Sequence, residues 1–151
     1  MNNKQVAAFF DEIKAQIPLI NAMELQDLLY DGHGLSLHAP LSPNINDKGT
    51  GFGGSLAALA TLSGWCLTSL YARDANLQAG VVIAESHIRY LAPVTSHFTA
   101  NVNLPSADVC KAFIRDLRDQ GKAKWTLDVD IYDAKGHALS LIGTYVARMP
   151  T

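Results

Sequence analysis

A chain of 151 residues that is 48% hydrophobic and only 17% charged has ample material for one core, which argues against disorder. Its formal net charge is -2 with acids and bases dispersed, so the basic footprint of a nucleic-acid-binding protein is missing. Cys66 and Cys110 belong to no CxxC or Cys/His pattern, which argues against a disulfide framework and a zinc site and reads as buried thiols in a reducing compartment.

The first residues, MNNKQVAAFFDEIK, lack the apolar run and cleavage site of a secretory signal, and the expected location is the cytoplasm. Val6, Phe9, Phe10, Ile13 and Ile17 recur at helical spacing, predicting an amphipathic helix over 4–17 that Pro18 ends. Strands are predicted over 23–30 and 35–39, joined by Asp31-Gly32-His33-Gly34. After a loop punctuated by Pro40 and Pro43, a helix over about 52–72 is apolar or small on nearly every side and is expected to be buried all round. No charged residue falls between Lys48 and Arg73, long enough to span a bilayer, but the segment's Gly, Ser and Thr content argues against insertion.

Strands over 81–90 and 97–104 follow, then a helix that Ser106 caps and Gly121 closes. Trp125, Leu127, Val129 and Ile131 alternate with polar residues as one arm of a hairpin that turns at Asp133-Ala134-Lys135-Gly136 into a strand over 139–148. The element order predicts a single α+β domain over 1–151, with an antiparallel sheet wrapped around the central helix. One sheet layer leaves part of that helix uncovered, so at least a dimer is expected.

The densest chemical signal is Asn44-Ile45-Asn46-Asp47-Lys48-Gly49-Thr50-Gly51-Phe52-Gly53-Gly54-Ser55, with four glycines in the six positions 49–54. A glycine-rich entry leaves backbone N–H groups unpaired at the positive end of the helix dipole and lets a ligand approach them. Anion binding, stabilisation of an oxyanion, and tight helix-to-sheet packing with no ligand all remain open on this pattern. The P-loop ending Gly-Lys-Ser/Thr is absent.

This run resembles the signature of hotdog-fold acyl-CoA thioesterases of the phenylacetate-type group: Asn, a short gap, then His-Gly-Gly opening the central helix. Asn46 matches the asparagine and Gly53-Gly54 the glycine pair; Ile88-Arg89-Tyr90-Leu91-Ala92-Pro93 resembles a strand motif of the same superfamily. The similarity runs from Leu25 to Met149. It is greatest to a bacterial subgroup of thioesterase domains that occurs alone or fused behind an acetyltransferase domain. The sequence departs at two places: Phe52 stands where the family has histidine, and Thr61 stands where its helix aspartate falls. A threonine hydroxyl has no ionisation near neutral pH and cannot act as a general base.

The resemblance implies a hotdog fold that hydrolyses an acyl-CoA or acyl carrier protein thioester by activated water, with Gly53 or Gly54 as oxyanion donor. Asn46 would orient the carbonyl or the water, or would only cap its loop. Thr61 would line the channel. Glu85 is the candidate for the missing base beside His87 on one strand face, with Asp47 as alternative; the same pair reads equally as surface charge. Asp47, Phe52, Ser55, His87 and Tyr90 complete the candidate binding set. No metal or other cofactor is implied, because coenzyme A or phosphopantetheine arrives with the substrate. The implied assembly is a homodimer or a tetramer of dimers. Lys111, Arg115, Arg118 and Lys122 would stack on one helix face, either a solvated face or a contact for phosphates or an acidic carrier protein. Non-hydrolytic acyl-thioester binding, or an acyl-transfer accessory role in fatty-acid metabolism, is the alternative function.

Overall fold

The computed structural model describes residues 1–151. Helix α1 (Asn3–Gln16) opens with a reciprocal cap: Asn2 Oδ1 accepts the Gln5 amide at 2.8 Å, and Gln5 Oε1 accepts the Asn2 amide at 2.9 Å. It buries Val6, Phe9 and Ile13. Pro18 does end this helix, but it also begins a second, α2 (Pro18–Ala22), since a proline at the first position of a helix has no N–H to lose. The strand expected from residue 23 therefore starts later. Met23 closes α2, Glu24 takes a positive φ of 54°, and β1 is only Gln26–Tyr30.

In the turn to β2 (Gly34–Ala39), Asp31 Oδ1 accepts the amides of His33 and Gly34, both at 2.8 Å. Helix α3 (Gly53–Asp74) follows a long loop and leads to β3 (Gly80–Tyr90) and β4 (Phe98–Asn103). Helix α4 (Ala107–Gln120) is capped by Ser106 and stopped by Gly121 at φ 73°, as its sequence requires. The paired strands β5 (Lys122–Asp133) and β6 (Gly136–Arg148) complete the chain. Because Gly121 stops α4, Lys122 belongs to β5 and not to the expected basic helix face. Of the remaining three cations, Arg115 pairs with Asp116 at 3.2 Å and Arg118 donates to the Ala75 carbonyl.

The six strands form one antiparallel sheet in the order β1-β2-β4-β5-β6-β3. Its inner face carries Phe98, Ala100 and Val102, then Trp125, Leu127, Val129 and Ile131, then Leu139, Leu141 and Tyr145, all buried against the helices. This is the α+β hotdog arrangement, with α3 as the central helix. By length and composition α3 could cross a membrane, but most of it lies inside the protein, where a core helix belongs. It is not buried all round. Leu56, Leu59, Ala60, Leu67 and Leu70 are enclosed, whereas Ala57, Ala58, Thr61, Leu62 and Trp65 form a half-exposed strip that α1 and α2 only partly cover. Both cysteines are buried and free.

Helix and sheet meet most closely at Gly64. A β-carbon there would lie 2.3 Å from the Tyr145 ring, so the absence of a side chain is what lets that ring in. The Tyr145 hydroxyl, which burial pushes up so that it stays protonated, donates to the Thr61 carbonyl at 2.8 Å. Nearby, Trp125 Nε1 donates to Thr68 Oγ1 and Thr68 Oγ1 to the Gly64 carbonyl, each at 2.8 Å. Gly64→Ala, which displaces the ring and breaks its hydrogen bond, is expected to cost at least about 2 kcal/mol, read as a lower urea midpoint at unchanged slope.

Candidate functional site

The loop before α3 is pinned from both sides. Asn44, 1% exposed, donates through Nδ2 to the carbonyls of Met23 at 2.9 Å and Pro40 at 2.8 Å, while its own carbonyl accepts the Phe52 amide at 2.7 Å. Asn44 Oδ1 is buried without a partner. On the other side Gly51 donates to the Val94 carbonyl at 2.8 Å, and a β-carbon on Gly51 would come within 2.9 Å of the Val94 side chain. Only glycine fits that approach.

Between these anchors Asn46 organises a tight turn. Its Oδ1 accepts the amides of Lys48 at 2.8 Å and Thr50 at 3.0 Å, and its Nδ2 donates to Thr50 Oγ1 at 2.9 Å. The capping alternative thus describes what Asn46 does in the folded chain. An amide carries two N–H donors, so one hydrogen of Nδ2 stays available for a ligand or water. Asp47 beside it pairs with Lys48 at 3.1 Å, both side chains exposed.

Phe52 is the N-cap of α3, and no side chain caps the helix. The first helical bond runs from the Leu56 amide to the Phe52 carbonyl, so the amides of Gly53, Gly54 and Ser55 precede the ladder. Two exposed aromatics frame them. The Phe52 ring folds over Gly54, where a β-carbon would meet it at 2.5 Å, and the Tyr90 hydroxyl donates to the Gly53 carbonyl at 3.0 Å. These N–H groups at the positive end of a 22-residue helix can receive a carbonyl oxygen as it gains negative charge.

The structure brings Asn46, Phe52, Gly53, Gly54, Ser55 and Tyr90 to this helix start. Thr61 lies farther along α3 in an apolar groove of about 390 Å³, where it is the one polar residue among side chains of α3, α2 and β3. Glu85 and His87 lie elsewhere. Strict alternation from Val81 and Ile83 would have turned them toward α3, but a bulge between Ile83 and Glu85 reverses the faces. Ser86, Ile88 and Tyr90 pair with Gly143, Leu141 and Leu139 on the inner face, while Glu85 and His87 pair with Thr144 and Ile142 on the outer one. The expected acid–base couple is therefore directed away from the helix start. No carboxylate or imidazole lines the groove, and no group of three or more His, Cys, Asp or Glu residues is arranged to hold a metal.

Sequence reasoning missed Asn44 and α2. Asn44 has the same residue type as Asn46 two positions on, and only burial distinguishes them; α2 was signalled by Pro18 read as a helix start.

The chain matches the family described as Putative thioesterase (yiiD_Cterm) over residues 6–149. The crystal structure of a putative thioesterase from Shewanella oneidensis is 32% identical, with 99% of this chain and 100% of that chain covered and a TM-score of 0.85. A protein of unknown function from Chlorobaculum tepidum is 30% identical over 97% of this chain and 94% of that one, with a TM-score of 0.87. The PaaI protein of the Escherichia coli phenylacetic acid degradation operon shares the fold at 14% identity, covering 97% of this chain and 92% of that one, with a TM-score of 0.67. The likeness extends through sheet, helices and loop together and is not confined to the helix start: this chain belongs to the putative thioesterase (yiiD_Cterm) family.

Proposed function

We propose that the protein binds a fatty or aryl acyl thioester of coenzyme A or of an acyl carrier protein at the start of α3, in the cytoplasm, and hydrolyses it with water. The observation that carries this reading is the set of amides at Gly53–Ser55 that no side chain caps, flanked by the exposed rings of Phe52 and Tyr90 in a member of a thioesterase family. The thioester oxygen accepts the N–H of Gly53 or Gly54, and the free Nδ2 hydrogen of Asn46 orients the carbonyl or the attacking water. Thr61 lines the channel. Coenzyme A or phosphopantetheine arrives with the substrate, and the reaction as proposed uses no metal.

The absence of any carboxylate or imidazole along the groove favours a second reading, in which the protein binds acyl thioesters without turning them over and serves acyl transfer in fatty-acid metabolism. Thiol release from a panel of acyl-CoA and acyl carrier protein thioesters separates the two. Release that falls on the order of a hundredfold in Asn46→Ala is expected for hydrolysis with this site. Binding of the panel with no release selects the accessory reading. Amide exchange at Lys48 and Thr50 in the same variant reports whether the loop has also opened.

The proposed working unit is a homodimer or a tetramer of dimers. The 11-residue β3 is an unpaired sheet edge with Val82 and Tyr90 more than half exposed, the kind of edge that a second chain covers. Sedimentation equilibrium is expected to give at least twice the 16.3 kDa protomer mass, and a monomer at micromolar concentration would count against this assembly.

A further inference from the structure

The bulge that turns Glu85 and His87 outward also turns Tyr90 inward. With strict alternation from Val81 and Ile83, Arg89 would face the helix and Tyr90 the outer side of the sheet. Tyr90 stands instead on the inner face opposite Leu139, at the last residue of β3, and its hydroxyl reaches the Gly53 carbonyl at 3.0 Å. Burial does not impose this bond. The side chain is 56% exposed, so water is available to the hydroxyl.

The chain that follows Tyr90 is fixed. The amides of Leu91 and Ala92 donate to the Ala138 carbonyl at 2.8 and 3.2 Å, and the Val94 carbonyl accepts the Gly51 amide at 2.8 Å. Residues 90–94 therefore grip the entry to α3 at two points, Gly51 and Gly53. The Tyr90 ring lies along Gly53, where a β-carbon would be 3.4 Å from Cε1 and 3.6 Å from the hydroxyl oxygen. The Phe52 ring lies over Gly54. The peptide joining the two glycines thus has an aromatic ring at each of its α-carbons.

The Gly53 C=O and the Gly54 N–H belong to one planar amide. Their directions are coupled, so a bond that fixes the oxygen also fixes the N–H on the opposite edge. They are coupled electronically as well, because donation to the carbonyl draws charge from the amide nitrogen and makes its N–H a stronger donor.

We propose that Tyr90 is a positioning residue for hydrolysis, holding and polarising the Gly53–Gly54 peptide so that the Gly54 N–H stabilises the oxyanion. The proposal rests on the thioester reading above and deepens it by selecting Gly54 as the polarised donor. Tyr90 acts through that peptide and touches no reacting atom. Its effect grows with the charge on the oxygen, so it is larger in the transition state than on the bound substrate.

Thiol release by the wild type and by Tyr90→Phe, which keeps the ring and loses only the hydroxyl, tests the role. Polarisation changes a donor by about 10–30%, and a whole oxyanion donor accounts for about a hundredfold or more. The variant is therefore expected to lower kcat roughly two- to eightfold with KM within about twofold, and to move the Gly54 amide resonance. Fluorinated tyrosines at position 90 have more strongly donating hydroxyls. They are expected to raise kcat in step with phenol acidity while each phenol keeps its proton, a trend that simple packing would not produce. Should Tyr90→Phe loosen the loop, seen as a lower urea midpoint, the fluorinated series decides, since it leaves the bond in place. A kcat unchanged in Tyr90→Phe, a Gly54 resonance that does not move, or a rate indifferent to phenol acidity overturns the role of Tyr90 while hydrolysis stands. No release from any thioester by the wild type removes the hydrolysis reading and this role together.

Discussion

The seat of α3 on the sheet, from which its first turn emerges, depends on the contact between Gly64 and Tyr145. A buried tyrosine ring occupies the space where any other residue at 64 would carry its β-carbon, and the ring's hydroxyl is satisfied by the Thr61 carbonyl one turn earlier. Gly143, two residues before Tyr145 on β6, is also tightly placed, with Leu141 and Tyr145 each 3.0 Å from where its β-carbon would lie. With missing side chains on both sides, helix and sheet approach until a single ring fills the gap, and close-packed interiors tolerate little variation around such a point. Since α3 is one continuous helix of 22 residues, fixing its middle also helps to fix where its first turn emerges beside Val94 and Tyr90.

The three long helices handle their N-termini differently. Helix α1 has a complete capping box and α4 a serine cap, so both satisfy amides locally. The longest helix, with the most developed dipole, starts at Phe52 and two glycines and has no side-chain cap. Stability alone would favour Ser, Asp or Asn at position 52. The first turn, held in place by Asn44, Gly51 and Tyr90, instead keeps its donors free of any side-chain acceptor, the arrangement on which the proposed thioester site depends.

Much of this was legible in the chain. The strict alternation from Trp125 to Ile131 reports a sheet with one buried face, and Ser106 and Gly121 mark both ends of α4 because their side-chain chemistry acts locally. The glycine-rich run located the helix start for the same reason. What escaped depended on a few residues whose effect is set by tertiary contacts. Pro18 both ends and begins a helix. The bulge after Ile83 leaves no mark in the side-chain pattern, yet it determines that Glu85 and His87 face outward. Asn44 and Asn46 are indistinguishable by type, and burial makes the first a structural anchor while leaving the second a spare donor.

The buried cysteines have a consequence for chemistry in solution. Cys66 is wholly enclosed in α3 and Cys110 nearly so in α4, and burial pushes both thiols up, away from the thiolate form. Nucleophilic sulfur is scarce in such a molecule at neutral pH, and access to it requires unfolding. The two thiols are thus shielded from disulfide reagents and peroxides while the protein is folded. They report instead on opening of the core: the modification rate of Cys66 measures how often α3 leaves the sheet, and that of Cys110 how often α4 does.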